Sequence, residues 1–394
     1  MGKNENIVTN ANKSGHEKRN VPTLRFREHT DEWHKFALSD FVTRITRRNK
    51  NNESSLPLTI SAQYGLVDQI TFFNKTVASV DLSGYYLLYN GDFAYNKSYS
   101  NDYAWGAVKR LDRYDKGCLS SLYFVFRPTD KVNSDYLTHY FETSKWHKGI
   151  SDIAGEGARN HGLLNIAVED YFATQHYLPS LPEQKKIANF LNLITKRIEV
   201  QNKIISKYET LIKGLCDLLF SNTTTVISPL KSIATINKGQ QINGLALAKT
   251  DEYYYLNGGI SPSGYVQEYN TSENTISISE GGNSCGFVAY NTQKFWSGGH
   301  CYTLKIINTK CRSKFLYFYL KHREKDIMQL RVGSGLPNIQ KRSLENFAVA
   351  LPSVEKQCYI EHILECITAK KEIETDLLGQ FQSQKKFLLS KMFI

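Results

Sequence analysis

Apolar residues recur along two long stretches of the chain at alternating steps of four and three. The first stretch is regular, and Gln201 is the one polar position in a series that otherwise contains Ile187, Leu191, Ile194, Ile198, Ile205, Tyr208, Ile212, Leu215 and Leu219. This heptad spacing is typical of a helix that packs along another helix. It predicts a long helix over residues 181–222.

The second stretch is less regular, because Lys371, Glu374 and Lys385 interrupt it. Its apolar members are Ile360, Leu364, Ile367, Leu378, Phe381 and Leu388, with Ile363, Ile373 and Leu377 as further candidates for the same seam. It predicts a second helix over residues 351–394. The two seams favour a mutual coiled coil, and the simpler alternative is that each helix packs only on its own domain.

The first long helix has an explicit start signal. Ser180 is followed by a proline in the first turn and, three positions on, by Glu183, which together form a capping box. Ser353 and Glu355 repeat the signal loosely before the second helix. Both predicted helices therefore begin at similar sequences.

These two starts belong to an internal repeat that needs no gap. Residues 162–220 align with residues 335–393 at an offset of 173 (335 minus 162). The matches include Gly162-Leu163 with Gly335-Leu336, Asn165-Ile166 with Asn338-Ile339, Leu178-Pro179-Ser180 with Leu351-Pro352-Ser353, and Gln184 with Gln357. The repeat indicates a duplicated unit of domain plus helix.

Residues 21–180 and 223–350 are each long enough for one domain. Because the ends of a domain usually lie close together, the second helix should run back beside the first. The predicted fold class is α+β (mixed), with two globular domains separated by two long antiparallel coiled-coil helices and a pseudo-two-fold relation. Residues 1–20 are expected to be a disordered N-terminal tail.

The two domains have mixed secondary structure. Alternation and β-branched residues predict strands at Leu119–Phe126, Thr275–Ser279 and Tyr302–Ile307, and helical spacing predicts short helices at Asp135–Lys145 and Lys314–Glu324. Residues 106–126 also resemble residues 286–306 at an offset of 180. The domains therefore look like divergent copies of each other.

The charge of the chain favours a polyanionic partner. The formal net charge is +11, and nucleic acid is the commonest partner for such a protein. No run of eighteen apolar residues and no signal-peptide core is present, so we expect a cytoplasmic protein without a membrane partner. The seven cysteines form no C-x-x-C pair, which favours reduced structural thiols.

Signatures of catalysis are missing from the sequence. The chain has no Walker lysine loop, no Asn/Asp-Pro-Pro-aromatic tetrapeptide and no H-E-x-x-H. The nuclease-like string that begins at Pro182 lies within the predicted helix start, where capping explains it. We therefore expect no catalytic residue, no metal site and no cofactor bound by this chain.

Three segments carry a resemblance to a known family: the opening from Val21 to Phe26 with Trp33, the helix start from Leu178 to Ile187, and its echo from Leu351 to Gln357. With the duplicated architecture, they resemble the specificity subunit of Type I restriction-modification systems. One departure is that Lys356 and Cys358 stand where the first copy has Glu183 and Lys185.

The resemblance implies two target-recognition domains, each of which reads one half of a split site in double-stranded DNA. It implies that the long helices set the unread spacer and dock two methyltransferase subunits, with restriction/translocase subunits as further partners. S-adenosylmethionine, Mg and ATP are then expected on the partner subunits. A coiled-coil scaffold that binds only proteins and a self-sufficient methyltransferase or nuclease are the alternatives.

Candidate DNA contacts follow from clusters of basic and amide side chains. They are Arg44, Arg47, Arg48, Lys97, Lys109, Arg110, Arg113 and Asn165 in the first domain, and Lys238, Gln240, Asn338, Gln340 and Lys341 in the second. For any single basic residue, a solvated surface charge is the alternative. Because the Gly-Leu-x-Asn-Ile segment is repeated in two domains that should read different half-sites, we expect it to place backbone or hold a loop. Asn165 and Asn338 should then contact phosphate or cap a turn, and direct base reading is the less favoured alternative.

Overall fold

The computed structural model describes residues 7–9, 19–75, 78–79, 81–100, 102–154, 162–221, 226–244, 247–333 and 335–394. The chain forms two compact units. The first contains residues 1–200 and 378–394, and the second contains residues 201–377. Each unit therefore combines one globular domain with parts of both long helices.

The first unit is built on a four-stranded antiparallel sheet with the order β4-β11-β8-β9. Its strands are β1 Ile7–Thr9, β2 Leu24–Phe26, β3 His34–Ala37, β4 Val42–Arg44, β5 Leu58–Ser61, β6 Gly65–Asp68, β7 Tyr86–Tyr89, β8 Phe93–Asn96, β9 Ala107–Arg110, β10 Lys116–Leu119, β11 Phe124–Pro128 and β12 Gln175–Leu178. Its helices are α1 Leu38–Phe41, α2 Gln69–Phe73, α3 Ser134–Tyr140, α4 His147–Ile153, α5 Val168–Ala173, the first half of α6 Leu181–Ser221 and the end of α10 Val354–Lys391.

The second unit is built on a four-stranded sheet with the order β14-β20-β17-β18. Its strands are β13 Val226–Pro229, β14 Ala234–Lys238, β15 Tyr253–Leu256, β16 Gly264–Val266, β17 Thr275–Ser279, β18 Val288–Asn291, β19 Phe295–Ser297, β20 Cys301–Ile306, β21 Arg331–Val332, β22 Asn338–Ile339 and β23 Ala348–Leu351. Its helices are the second half of α6, α7 Ser313–His322, α8 Glu324–Gln329, α9 Lys341–Glu345 and most of α10 Val354–Lys391.

The two central sheets have the same topology. In both, the first and second strands in chain order flank the last strand, and the third strand forms an antiparallel hairpin with the second at the edge. Gly106 and Gly286 stand at the matching bends before β9 and β18, with φ of 78° and 93°. A Cβ at Gly106 would lie 2.1 Å from the carbonyl oxygen of Asn96, so the bend needs glycine. The offset of 180 seen in the sequence therefore reflects a duplicated sheet.

Some local predictions were wrong. The expected strand Leu119–Phe126 is two strands, because residues 120–123 form a turn in which the Tyr123 amide donates to the Ser120 carbonyl oxygen and Leu122 is exposed. The helix expected over Asp135–Lys145 ends at Tyr140. The tail expected to be disordered contains the strand β1, which pairs with β2. Residues 1–6 and 10–18 lie outside the described residues.

In the first unit, the start of α6 packs on the end of α10. Ile187 and Leu191 share one buried core with Leu388 and Phe393. The Arg197 guanidinium also lies over the ring of Phe381, 4.5 Å from its centroid. Because the early residues of α6 meet the late residues of α10, the two helices run in opposite directions here.

The second unit contains the reverse combination. Cys216 and Leu219, near the end of α6, are buried with Ile360 and Leu364, near the start of α10. The antiparallel direction expected from the repeat is therefore present in both units. The alternative that each helix packs only on its own domain is wrong.

The heptad positions of both helices turn inward. Ile187, Leu191, Ile360 and Leu364 are buried, and Ile194, Ile198, Ile205, Ile212, Ile367, Leu378 and Phe381 are half-buried. Ile373, which we expected in the seam, is 65% exposed. The charged residues Lys371, Glu374 and Lys385 take seam positions, because polar partners reach them.

Gln201 meets Glu374, which is its equivalent in the repeat. The Gln201 amide nitrogen donates to the Glu374 carboxylate and, at 2.9 Å, to the Glu374 carbonyl oxygen across a separation of 173 residues. The Lys371 ammonium pairs with Glu209 at 3.0 Å. A buried polar pair in a coiled coil fixes register, since a shift leaves both groups without partners. Gln201 and Glu374 therefore mark the point where the two copies of the helix face each other at the same position.

Each long helix is attached to its domain by the same glutamine contacts. The Gln184 side chain donates to the Pro179 carbonyl oxygen and accepts from the backbone amide of Asn133, which is the residue before α3. The Gln357 side chain likewise donates to the Pro352 carbonyl oxygen and accepts from the amide of Arg312, before α7. The repeat thus preserves the join between helix and domain.

The glutamate of the capping box expected at the first helix has a different partner. The Glu183 carboxylate forms a buried ion pair with Arg25, in which Nε and Nη2 each lie 2.7 Å from one oxygen. Glu183 therefore anchors the helix to β2 and does not reach back to cap it. Lys356 stands at the equivalent position of α10, and there the buried carboxylate is that of Glu361, which pairs with Arg312.

His176 on β12 should make the stability of the first unit depend on pH. The side chain is buried, with Tyr140 and Thr174 hydroxyls 2.8 Å from its ring nitrogens, and burial lowers its pKa from 6.5 to about 4. Between about pH 6.5 and pH 4, His176 is protonated in the unfolded chain and stays neutral in the folded chain. Stability that is present above pH 6.5 is therefore lost as the pH falls towards 4, by about 3 kcal/mol.

Urea unfolding at pH 7 and pH 4.5 measures this loss. The variant His176→Gln should lose less free energy of unfolding than the wild type over the same interval. Equal losses in the two proteins would contradict the assignment.

Candidate nucleic-acid interface

Two of the arginines singled out in the first domain form ion pairs with carboxylates of the same domain. Arg47 lies 3.2 Å from the fully buried Asp92, which also accepts from Arg127 at 2.6 Å. Arg110 lies between Asp112 and Asp135, at 2.6 and 2.7 Å. Their guanidinium groups thus stabilise the ends of the central sheet.

Other basic residues of this domain remain open to solvent. Arg44, Arg48 and Arg113 are exposed. Arg48 stacks on Tyr86, with its guanidinium carbon 4.6 Å from the ring centroid, and it donates to the Gly84 carbonyl oxygen. Within the described residues, Arg44 and Arg113 have no ion-pair partner. These exposed arginines are better placed for phosphate than Arg47 or Arg110.

The repeated Gly-Leu-x-Asn-Ile segment lies against the chain that continues from β8. The Leu164 amide donates to the Lys97 carbonyl oxygen at 3.0 Å, and the Tyr99 amide donates to that of Gly162 at 3.1 Å. Asn165 is exposed beside this pairing, and the Lys97 ammonium lies 5.0 Å from the centre of the Phe124 ring. The segment therefore brings Lys97 and Asn165 to the same end of the sheet.

The second copy of the segment makes the same kind of pairing after β17. The Ile339 amide donates to the Glu280 carbonyl oxygen at 2.8 Å, and the Gly282 amide donates to that of Pro337 at 3.0 Å. The Asn338 side chain accepts from Gln340 at 3.0 Å. In both units the segment holds a loop at the end of the sheet through backbone hydrogen bonds.

Glu280 organises a polar cluster at this end of the second sheet. One carboxylate oxygen accepts from the Lys238 ammonium at 2.7 Å and from the Tyr302 hydroxyl at 3.0 Å. The other lies 3.8 Å from Nδ1 of His300, whose side chain is 65% exposed. Burial, and then the hydrogen bond to Glu280, raise the pKa of Tyr302 above its usual range. Lys238 thus contacts the Glu280 carboxylate, while the Asn338 segment contacts the backbone carbonyl of the same residue.

The remaining candidates flank this cluster. Gln240 is exposed, while its backbone bonds to Ser297 and accepts from the Trp296 indole at 2.8 Å. Gln340 and Lys341 are exposed at the start of α9, and the Lys341 ammonium lies 3.8 Å from Glu345. A Cβ at Gly239 would lie 2.3 Å from two carbonyl oxygens, so the loop next to Gln240 packs tightly on residues 297–298.

Sequence reasoning missed Glu280 and Asp92. Both are acidic, and a search for phosphate contacts selects cations. Glu280 is the first residue after β17, where Lys97 is the first residue after β8. The same place in the duplicated fold thus carries opposite charges. The sequence signal for this difference was that the segments after β8 and β17 are not alike.

Three further observations concern the described residues. They contain no group of three His, Cys, Asp or Glu side chains that could hold a metal ion. None of their helices is long and apolar enough to cross a membrane. All seven cysteines carry unpaired thiols, and only Cys358 and Cys366 are exposed.

Comparison with known proteins gives sequence matches to part of the chain. Residues 222–381 match the family described as Type I restriction modification DNA specificity domain. The chain is 33% identical over 177 residues to the putative type I specificity subunit S.MpnORF638P of Mycoplasma pneumoniae, covering 44% of this chain and 47% of that protein. It is 27% identical over 174 residues to S.MgeORF438P of Mycoplasma genitalium, covering 42% and 45%. The matches span less than half the length of these relatives.

The fold matches solved structures over nearly the whole chain. The S subunit of a Type-I restriction-modification system from M. genitalium superposes with a TM-score of 0.65 at 19% identity, over 95% of this chain and 99% of that one. A chain from a study of complex assembly and conformational transition of the type I R-M system gives a TM-score of 0.54 at 16% identity, over 92% and 97%. Residues 222–381 are thus similar to the Type I restriction modification DNA specificity domain, and the fold of the chain is similar to that of a solved S subunit of such a system.

Proposed function

We propose that this chain gives a Type I restriction-modification complex its DNA specificity and performs no catalysis itself. Each unit reads one half of a bipartite site with the loops at one end of its central sheet. The observation that carries the proposal is the duplicated sheet whose equivalent positions differ in charge, Lys97 against Glu280. Two readers with one architecture and different side chains suit a site made of two different halves.

In this proposal the long helices set the unread spacer and dock two methyltransferase subunits. Exposed apolar side chains on α6 support a docking role, and they include Leu193 at 68% and Leu218 at 57% exposure. Restriction/translocase subunits are further partners, and S-adenosylmethionine, Mg and ATP would be bound by the partner subunits. Partners of this kind place the protein in the cytoplasm.

Co-expression with a candidate methyltransferase subunit, followed by mapping of methylated adenines, tests the function. We expect two short specific blocks that flank an unspecified gap of constant length. A protein-binding scaffold would instead leave the methylation pattern unchanged and would show no sequence selection on random duplexes. Either result would overturn the proposal.

The proposed interface makes a prediction for Lys238. If this ammonium contacts phosphate, Lys238→Gln should weaken DNA binding to a similar degree on all sequences and should lower the salt-dependence slope by about one. Filter binding at several salt concentrations measures both effects. Lys305→Gln, which changes an exposed lysine on the neighbouring strand β20, is the matched control and should bind as the wild type does. An unchanged slope for Lys238→Gln would remove this residue from the interface.

A further inference from the structure

A cleft of about 880 Å³ lies in the first unit. Its walls come from β9, from the turn between α3 and α4, and from residues 382–390 of α10. Four lysines line it: Lys109, Lys145, Lys385 and Lys386. Among the described residues, the carboxylates that line it are those of Asp102 and Glu142. The cleft thus has an excess of positive charge.

One of the two carboxylates is already neutralised by a lysine. The Lys385 ammonium lies 2.8 Å from Glu142. Burial acts to raise the pKa of Glu142, but the contacts with His139 and Lys385 lower it to about 2, so the carboxylate is ionised at neutral pH. This pair leaves Lys109, Lys145 and Lys386 to face Asp102.

Lys109 is the least solvated of these cations. It is half-buried, no described carboxylate lies within ion-pair distance of it, and burial lowers its pKa despite the charge of Glu142. Its neighbours in the wall include the buried side chains of Val108, Phe141 and Trp146. A cation in such surroundings is costly unless an anion accompanies it, and it attracts that anion more strongly than in water.

We propose that this cleft binds a phosphate group, with Lys109 and Lys386 as its ligands. The cluster of lysines suits a group with two negative charges and several acceptor oxygens, and the apolar wall suits a ligand that carries more than phosphate alone. The phosphate belongs either to a free nucleotide or to the DNA backbone. Binding of the free form does not depend on the function proposed above.

Calorimetric titration of the full chain with inorganic pyrophosphate tests the site. We expect saturable binding by the wild type, at least a tenfold loss of affinity in Lys109→Met and in Lys386→Gln, and no change in Lys116→Gln, which alters an exposed lysine on β10 outside the cleft. Lys109→Met keeps the buried length of the side chain. Lys386→Gln changes an exposed residue, so it keeps the test valid if the first variant folds poorly.

A second arm uses a DNA duplex with the same variants and identifies the source of the phosphate. If both cleft variants weaken duplex binding while Lys116→Gln does not, the ligand is the DNA backbone. If they weaken only pyrophosphate binding, it is a free phosphate compound. The proposal is overturned if both cleft variants bind pyrophosphate and duplex as the wild type does, or if the wild type binds neither. If the wild type binds pyrophosphate but shows no sequence selection on DNA, the result counts against the proposed function and leaves the phosphate site standing.

Discussion

Replacing Arg25 with alanine should lower the free energy of unfolding of the first unit by about 3–5 kcal/mol, because it leaves a buried carboxylate without an ion-pair partner. Arg25 is 5% exposed and Glu183 is 1% exposed. The guanidinium bonds both Glu183 oxygens at 2.7 Å and donates to the Asp31 carbonyl oxygen at 2.6 Å. Without it the Glu183 charge has no partner in a site closed to water. Urea unfolding monitored by circular dichroism measures the loss.

The exposed pair of Arg19 and Glu32 is the matched control. Its side chains are 62% and 41% exposed, so Arg19→Ala should cost no more than about 1 kcal/mol. The double variant Arg25→Met with Glu183→Met should recover much of the loss, since it removes both buried charges. A loss in Arg25→Ala no larger than that in Arg19→Ala would show that the pair does not hold the start of α6.

Phe393→Ala should cost about 3–5 kcal/mol, which is usual for a buried phenylalanine. Phe393 is 1% exposed, and its ring centroid lies 6.5, 5.3 and 6.1 Å from those of Trp33, Tyr136 and Tyr140. Phe393 thus helps to complete a core most of whose members lie before position 200. Hydrogen exchange should show the loss of protection in residues 86–128 and little change in residues 226–351.

Phe387, on the last turns of α10, is the control. It is 55% exposed, so Phe387→Ala should change the free energy of unfolding by less than about 0.5 kcal/mol. Equal protection of residues 86–128 in wild type and Phe393→Ala would contradict the packing of α10 into the first unit.

The long helices were predictable because their heptad period is a local property of the sequence and their repeat can be found by aligning the sequence with itself. The helix expected over residues 181–222 spans Leu181–Ser221. Heptad reasoning fails where charges occupy the seam, since it treats Lys371 and Glu374 as outward-facing and seeks Ile373 instead. Whether a charge can lie inside depends on its partner, and the partner of Glu374 is Gln201 on the other helix.

The contacts of the candidate interface residues were only partly predictable from the sequence. Clusters of Lys and Arg located both loop regions, yet Arg47 is engaged by Asp92 and Lys238 by Glu280, residues that are 45 and 42 positions away. No local pattern reports such pairs, because the sheet topology creates them. The repeated Gly-Leu-x-Asn-Ile segment was informative because the same backbone pairing recurs in both units.

The division of the chain into units also has a consequence for protein synthesis. All of residues 201–377 leave the ribosome before residues 378–394, which the first unit needs. The second unit can therefore finish folding first, although its sequence comes later than most of the first. Before residues 378–394 emerge, the nascent first domain exposes the apolar surface that Leu388, Met392 and Phe393 will cover. Chaperones can bind this surface during that interval.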